Sequence, residues 1–303
     1  DSYLQPKLPA TGTYFVEIGD TQSKGGHEYA YRLRISKSNP DFKLRMDPSG
    51  LHIGPQGTAA FTVRAMRQDG YNGAIKLESK NLPEGFSMSD ATIPAGSDTT
   101  RFTITAPKEI TGKLVSPQIT GTAIINSNTV THTAIPVDDQ MQAFLYRHLV
   151  PAKELMLAEV SQKPPLAFEA KLPKSGIIEV PLGQEFRIQL TGQAFSTGKG
   201  ASVKFDNPPE GISSTKGWIG RKRVKGKKAN GQPEYDKNHA RGSITLTAEE
   251  PLKLGDRLSL VVVAEIRKGK EKLRYPAPAI PVKIVAPVEK KKPTPKAETK
   301  SKE

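Results

Sequence analysis

Five histidines have the widest chemical reach of any side chains in the sequence: His27, His52, His132, His148 and His239. No two stand at metal-ligand spacing and no His-Glu-x-x-His segment occurs, so neither a zinc site nor its general base is spelled out. No Gly-x-Ser-x-Gly turn presents a nucleophilic serine. The chain has no cysteine, which excludes thiolate ligands, cysteine nucleophiles and disulfides. Gly192 to Lys199 has the outline of a phosphate loop, but with one residue too many, and Gly200 stands where Ser or Thr is required. That spacing is what aims the backbone N–H groups at phosphate. Asp138–Asp139 and Glu249–Glu250 are adjacent carboxylates, and neighbours along a strand face opposite sides, so neither is an acid/base pair. Catalytic, cofactor-binding and metal residues are therefore assigned to none, and a protein without enzymatic activity is expected.

One segment could bind something. Trp218 is followed by Arg221, Lys222, Arg223, Lys225, Lys227 and Lys228. The stretch 216–241 carries +7 of the formal +14, the tail 289–303 carries +3, and the rest only +4. Such a run fits contact with an anionic polymer: acidic polysaccharide, lipid head groups or nucleic acid. Nucleic acid is the least favoured, since one Trp does not make a set of base-stacking aromatics. The plainer reading is a solvated hairpin with Trp218 packed on its own domain.

The elements that must position this segment read as strands. Gly (26) and Pro (25) are frequent enough to punctuate many short elements. Residues 13–35 read as a hairpin: Tyr14, Val16 and Ile18 alternate with Thr13, Phe15 and Glu17, and Tyr29, Tyr31, Leu33 and Ile35 alternate with Ala30, Arg32 and Arg34. Two strands cannot make a stable domain in water, so either partner strands before Asp1 or packing onto the next unit is expected. In the next unit, 41–46, 58–65, 74–78, 100–106, 118–125 and 129–137 read as strands. Turn clusters at Asp47-Pro48-Ser49-Gly50, Asp69-Gly70 and Pro94-Ala95-Gly96 separate them. Asp138–Val160 lies between the two units, and within it Asp138 and Asp139 are candidate N-caps of a short helix with Met141, Phe144, Leu145, His148 and Leu149 on its apolar face, stopped by Pro151. A new strand then follows over 154–160. No stretch approaches the ~18 uninterrupted apolar residues that span a bilayer. The longest apolar run, Leu258 to Ile266, is short enough for a buried strand.

A repeat organises the middle of the chain. Asn81-Leu82-Pro83-Glu84-Gly85-Phe86-Ser87 recurs as Asn207-Pro208-Pro209-Glu210-Gly211-Ile212-Ser213, 126 residues on, as do Pro55 and Gly57 at Pro181 and Gly183. Phe102–Ala106 recurs as Ile244–Ala248 at an offset of 142, and Ile119, Gly121 and Ala123 are echoed by Leu260, Val262 and Ala264 at 141. The jump places a 16-residue insertion inside the basic stretch, expected as a surface hairpin or loop.

Two resemblances follow from these residues. Leu8–Ile18, with its Gly-Thr-Tyr-x-Val-x-Ile strand, followed by Gly26–Ile35, resembles the end of a bacterial pre-peptidase C-terminal domain. That likeness implies a jelly-roll-like sandwich, export and no catalysis of its own. Gly70–Leu77 and the Leu82-Pro83-Glu84-Gly85 turn resemble the Ig-like domains that follow such domains in planctomycete-type secreted proteins.

The expected organisation is all-β: 1–38, the end of a partial sandwich; 39–137, an Ig-like sandwich; 138–151, a linker with a short helix; 152–287, a second Ig-like sandwich with the basic insertion 214–241; and 288–303, a disordered basic tail. The expected function is a structural or interaction module of a larger exported protein, extracellular, periplasmic or at the cell surface. Its partner would be a protein or a cell-surface polysaccharide. The alternatives are a polyanion- or carbohydrate-binding module using the basic loop, and the accessory end of an enzyme whose active site lies upstream. No cofactor is expected.

Overall fold

Alternation of apolar and polar residues decides most of the strands. Phe42, Leu44 and Met46 are buried while Lys43 is exposed; Ala59, Phe61, Val63 and Ala65 point inward from the next long strand. A computed structural model describes residues 4–142, 146–194, 200–215, 217–227, 233–268 and 270–287. The described residues hold no helix, and the fold is all-β.

The first unit contains β1 (Asp41–Asp47), β2 (Gly50–Ile53), β3 (Thr58–Gln68), β4 (Ile75–Lys80), β5 (Ser87–Met88), β6 (Ala91–Ile93), β7 (Thr99–Thr105), β8 (Leu114–Val115), β9 (Gln118–Ile125), β10 (Asn128–Thr133), β11 (Ile135–Gln142), β12 (Tyr146–Pro151) and β13 (Met156–Glu159). Its sheets run β12-β11-β1-β3-β7-β5, β10-β9-β4-β6 and a small β2-β13-β8. Phe42, Phe61, Phe102, Ile75, Ile93 and Leu157 share one core among them. The second unit contains β14 (Leu166–Ala170), β15 (Ile178–Pro181), β16 (Glu185–Ala194), β17 (Ala201–Phe205), β18 (Ile212–Ser214), β19 (Gly217–Lys227), β20 (Pro233–Ala248), β21 (Arg257–Leu260), β22 (Val262–Lys268), β23 (Glu271–Pro276) and β24 (Ile280–Val285). Here β14-β16-β20-β19-β17-β22-β23 form one continuous sheet, with β18 on β20, and β15-β24-β21 form a small one.

The repeat is visible in hydrogen bonding. Phe86 N donates to Pro83 O, and Ile212 N to Pro209 O, each at 3.2 Å. Asn81 and Gly85 have φ of 58° and 81°; Asn207 and Gly211 have 43° and 84°. The strands that follow pair Ser87 with Thr105 and Ser213 with Thr247, matching the offsets of 126 and 142. One offset needs correction. Leu77 pairs with Gly121 and its counterpart Val203 with Ala264, so β9 maps onto β22 at 143 rather than 141. A shift of two keeps the same face, which is why side-chain pattern alone did not register it.

Three other expectations change. The segment expected as a helix over 138–151 is a β-hairpin, β11–β12, in which Asp138 faces Val150 and Gln140 faces His148. The two strands of the hairpin pair with each other, while β11 joins β1 only at its start, through Ile135 and Pro136; Phe144 and Leu145 of the expected apolar face lie outside the described residues. The strand at 154–160 does not open the second unit. As β13 it closes the first, parallel to β2 and antiparallel to β8, just as β24 lies between β15 and β21. The second unit opens instead at β14. Finally, residues 13–35 form no strand. Phe15 is 95% and Tyr31 74% exposed, and only the turns at Asp20–Ser23 and Gly26–Tyr29 are closed by hydrogen bonds. Among the described residues no strand pairs with or covers the two alternating runs, and their apolar sides stay exposed.

The units meet along a built joint. β22 and the residue before it bury both faces: Val262 and Ala264 enter the core, while Val261 and Val263 form a separate cluster with Ala279 that packs on Ala60 of β3. Ala279 N donates to Thr103 Oγ1 at 2.8 Å in a buried position. Asp206 accepts from Arg101 Nη2 of the first unit at 2.6 Å and from Arg274 Nη2 of its own. Burial pulls the Arg101 guanidinium's pKa down, against the holding effect of the Asp206 and Asp47 carboxylates, with Arg274 and Arg64 adding to the fall.

Candidate functional site

The basic segment is a hairpin, made of the outer half of β19 and the first half of β20. Its base is fixed by packing. Ile219 is buried and pairs with Ala201 and Gly242, while Trp218, on the opposite face, pairs with Ser202 and Ser243. Further out, Arg221 faces Ala240, Arg223 faces Tyr235 and Lys227 faces Pro233, with register breaks between these pairs. The first break holds Asp236–His239, where Asp236 accepts from His239 N at 3.2 Å and lies 2.7 Å from His239 Nδ1. That turn absorbs the extra residues of β20 and lets the strands pair again beyond it.

The insertion expected between two strands is therefore a paired hairpin. It also changes the architecture. In the first unit β6 and β7 belong to different sheets; their counterparts β19 and β20 pair and weld the second unit's sheets together.

The sequence-predicted residues fall in three places. Trp218 is 52% exposed, so it does not pack away on its own domain. Its indole leans over Gly200, where an added Cβ would sit 2.6 Å from Trp218 Cζ2. Arg221 is half-buried, and its Nε makes no hydrogen bond. Lys222, Arg223, Lys225 and Lys227 follow along β19, and Lys228 lies outside the described residues. The backbone thus threads five of the six cationic residues along one strand, beginning three residues beyond the Trp.

Neighbours that sequence reasoning passed over flank Trp218 on the outer sheet face. Ser202 pairs with it from β17, and Ser243 from β20. Beyond Ser243 come Gln189, its partner on β16, and Arg187, whose Nε donates to Ser243 Oγ at 2.8 Å. Only the alternation of Ser202 with the apolar Ala201 and Val203 hinted that this row faces outward. Among the described residues no group of three His, Asp or Glu side chains converges as a metal site, and no helix is long and apolar enough to cross a membrane.

A comparison with protein-family models finds no match, and neither does one with curated proteins. Among solved structures the chain is similar to surface layer protein SbsC, domains 4–9, at 14% identity and a TM-score of 0.29, covering 82% of this chain and 32% of that one. It is also similar to S-layer protein SbsC domains 4 and 5, at 12% identity and a TM-score of 0.21, covering 70% of this chain and 77% of that one. The chain thus spans less than half the length of the first. Likeness this loose says nothing of function.

Proposed function

We propose that this chain is a non-catalytic structural and interaction module of a larger exported protein, acting outside the cytoplasm as a stiff two-sandwich spacer. The observation that carries the reading is the joint. A flexible pair of beads has no use for a hydrogen-bonded Arg101–Asp206–Arg274 cluster and a dry Val261–Val263–Ala279 contact at its waist. Export is supported only by the resemblance of residues 8–35 to pre-peptidase C-terminal domains. Calorimetry tests the mechanical part: the two cores are expected to melt in one transition, and two independent transitions would refute a stiff spacer.

A second reading is favoured by the hairpin: the module also binds an acidic polymer. Arg221, Lys222, Arg223, Lys225 and Lys227 lie along one strand of the hairpin, with Lys228 next in sequence, so their fields add. Its test is retention on a heparin column, which is expected to fall steeply with salt because such attraction is screened beyond about 10 Å at ~0.1 M.

A further inference from the structure

The two units use one face in different ways. In the first unit, the outer face of β3, β6 and β7 lies under the second unit, with Ala60, Arg101 and Thr103 in the joint. In the second unit the equivalent strands are β16, β19 and β20. Their pairing puts Arg187 where the first unit has Ala60, Ser243 in place of Arg101, and Trp218 in place of Thr92. The face that is covered in the first unit is open in the second, where it is polar, basic and centred on a half-exposed indole.

We propose that this face is a binding platform for an acidic polysaccharide, with a sugar ring stacked on Trp218. The inference rests on the polyanion reading of the hairpin and extends it to a site. Gln189, Ser243, Trp218 and Ser202 form a row across four adjacent strands. Three strand gaps span about 14 Å, so the row can seat more than one sugar ring. The indole offers an apolar surface to the C–H face of a pyranose, while the hydroxyls and the amide on either side meet its hydroxyl groups. Arg187, tied to Ser243, and the exposed Arg241 add positive charge beside the row, and the hairpin continues that charge outward. The one carboxylate at the end of the row, Glu265, is paired with Lys204 Nζ at 2.6 Å and does not confront an incoming anion uncompensated. Charge complementarity therefore selects a sulfated or uronate glycan over a neutral one.

Trp218 is the chain's only tryptophan, so its emission reports this site alone. The experiment titrates the full chain with heparin, with a neutral glucan and with single-stranded DNA, reading Trp emission and affinity. Heparin is expected to shift the emission saturably and the glucan not to. Trp218→Ala should weaken heparin binding about fivefold, the scale of one aromatic stack. Ser202→Glu, which keeps the indole and adds an anion beside it, should weaken it as well. Melting curves of both variants check that the fold survives. Heparin binding that is lost on replacing the six hairpin residues by Ser, but leaves Trp emission and the Trp218→Ala affinity unmoved, overturns the platform and keeps the hairpin reading. Loss in Trp218→Ala with full retention of the hairpin variant keeps the platform and overturns the hairpin. An equal response to DNA overturns the sugar assignment, and no binding of any probe overturns both.

Discussion

Replacing Arg101 by Met separates the joint from the folding of either sandwich. Asp206 keeps Arg274, a partner from its own unit, and the methionine fills most of the space of the arginine stem. What disappears is the bond that crosses between units. The Arg101 and Asp206 side chains are 13% and 11% exposed, so solvent screens their attraction little. A hydrogen bond to a charged group contributes about 1.5–3 kcal/mol. Because Asp206 is not left wholly unpaired, the expected loss is about 2 kcal/mol, below the about 3–5 kcal/mol of a stranded buried charge. In a cooperative unit of this size that corresponds to a melting point lower by about 4–8 °C. Asp206→Ala, which leaves Arg101 and Arg274 facing one another, should cost more, about 3–5 kcal/mol. Calorimetry reads both effects, and repeating it in 1 M salt adds a control: an exposed pair would lose its contribution there, whereas this one should keep most of it. An Arg101→Met melting point within about 1 °C of wild type, with the transition as sharp as before, would refute the claim that the cluster couples the sandwiches.

Other outcomes are expected. Glu159 Oε2 accepts from Thr111 N at 2.7 Å, Thr111 Oγ1 at 3.1 Å and Lys113 N at 3.1 Å. Although desolvation pushes its pKa up, the Lys113 and Thr111 donors, with help from Gly112, hold the carboxyl below its usual value. The folded pKa is depressed, so this contribution is present above the unfolded value and lost as pH falls through the folded one. The stability gap between wild type and Glu159→Gln, followed by urea titration, should shrink across that acidic window; a gap independent of pH would contradict the assignment. Gly85→Ala and Gly211→Ala both force a left-handed backbone onto a side chain, costing about 1 kcal/mol or more. Gly211 should be the worse, because a Cβ there meets Glu249 O at 2.5 Å, against 2.9 Å to Pro107 Cβ at Gly85; equal melting points would count against this. Exchanging Arg221, Lys222, Arg223, Lys225, Lys227 and Lys228 for Ser should abolish most heparin retention, with a melting curve to check that the fold survives. Unchanged retention would leave the hairpin without a binding role.

Much of the fold was legible because period 2 is a local signal. Phe42, Leu44 and Met46 announce β1 whatever surrounds them, and the Pro-Glu-Gly turns carry their geometry in three residues. The segment 138–151 misled for the same reason. Met141, Leu145 and Leu149 suit a helix by spacing, but the two halves of the segment pair with each other as strands, and β11 is anchored at its start, where Ile135 and Pro136 lie beside Arg45 and Met46 of β1, outside any local window. The strand at 154–160 was found and given to the wrong unit, since its partners β2 and β8 lie in segments too short to announce themselves. Of the candidate site, the charge and the Trp were plain in the sequence. The row formed by Gln189, Ser243 and Ser202 was not, because it exists only across strands. The joint left one trace: Leu260 to Ala264 is apolar without alternation, the mark of a strand covered on both sides.

The joint has a consequence for assembly. It is a heterologous contact, in which one face of the first unit meets a different surface of the second. Contacts of that kind run on into rings or open filaments when every copy carries both surfaces. Here neither copy does. The second unit presents Ser243 and Arg187 where a further sandwich would need Arg101 and Ala60, and the first presents Lys80 where the second has Asp206. The two units are thus not interchangeable at this contact, and a second copy of this chain cannot extend it in the same way.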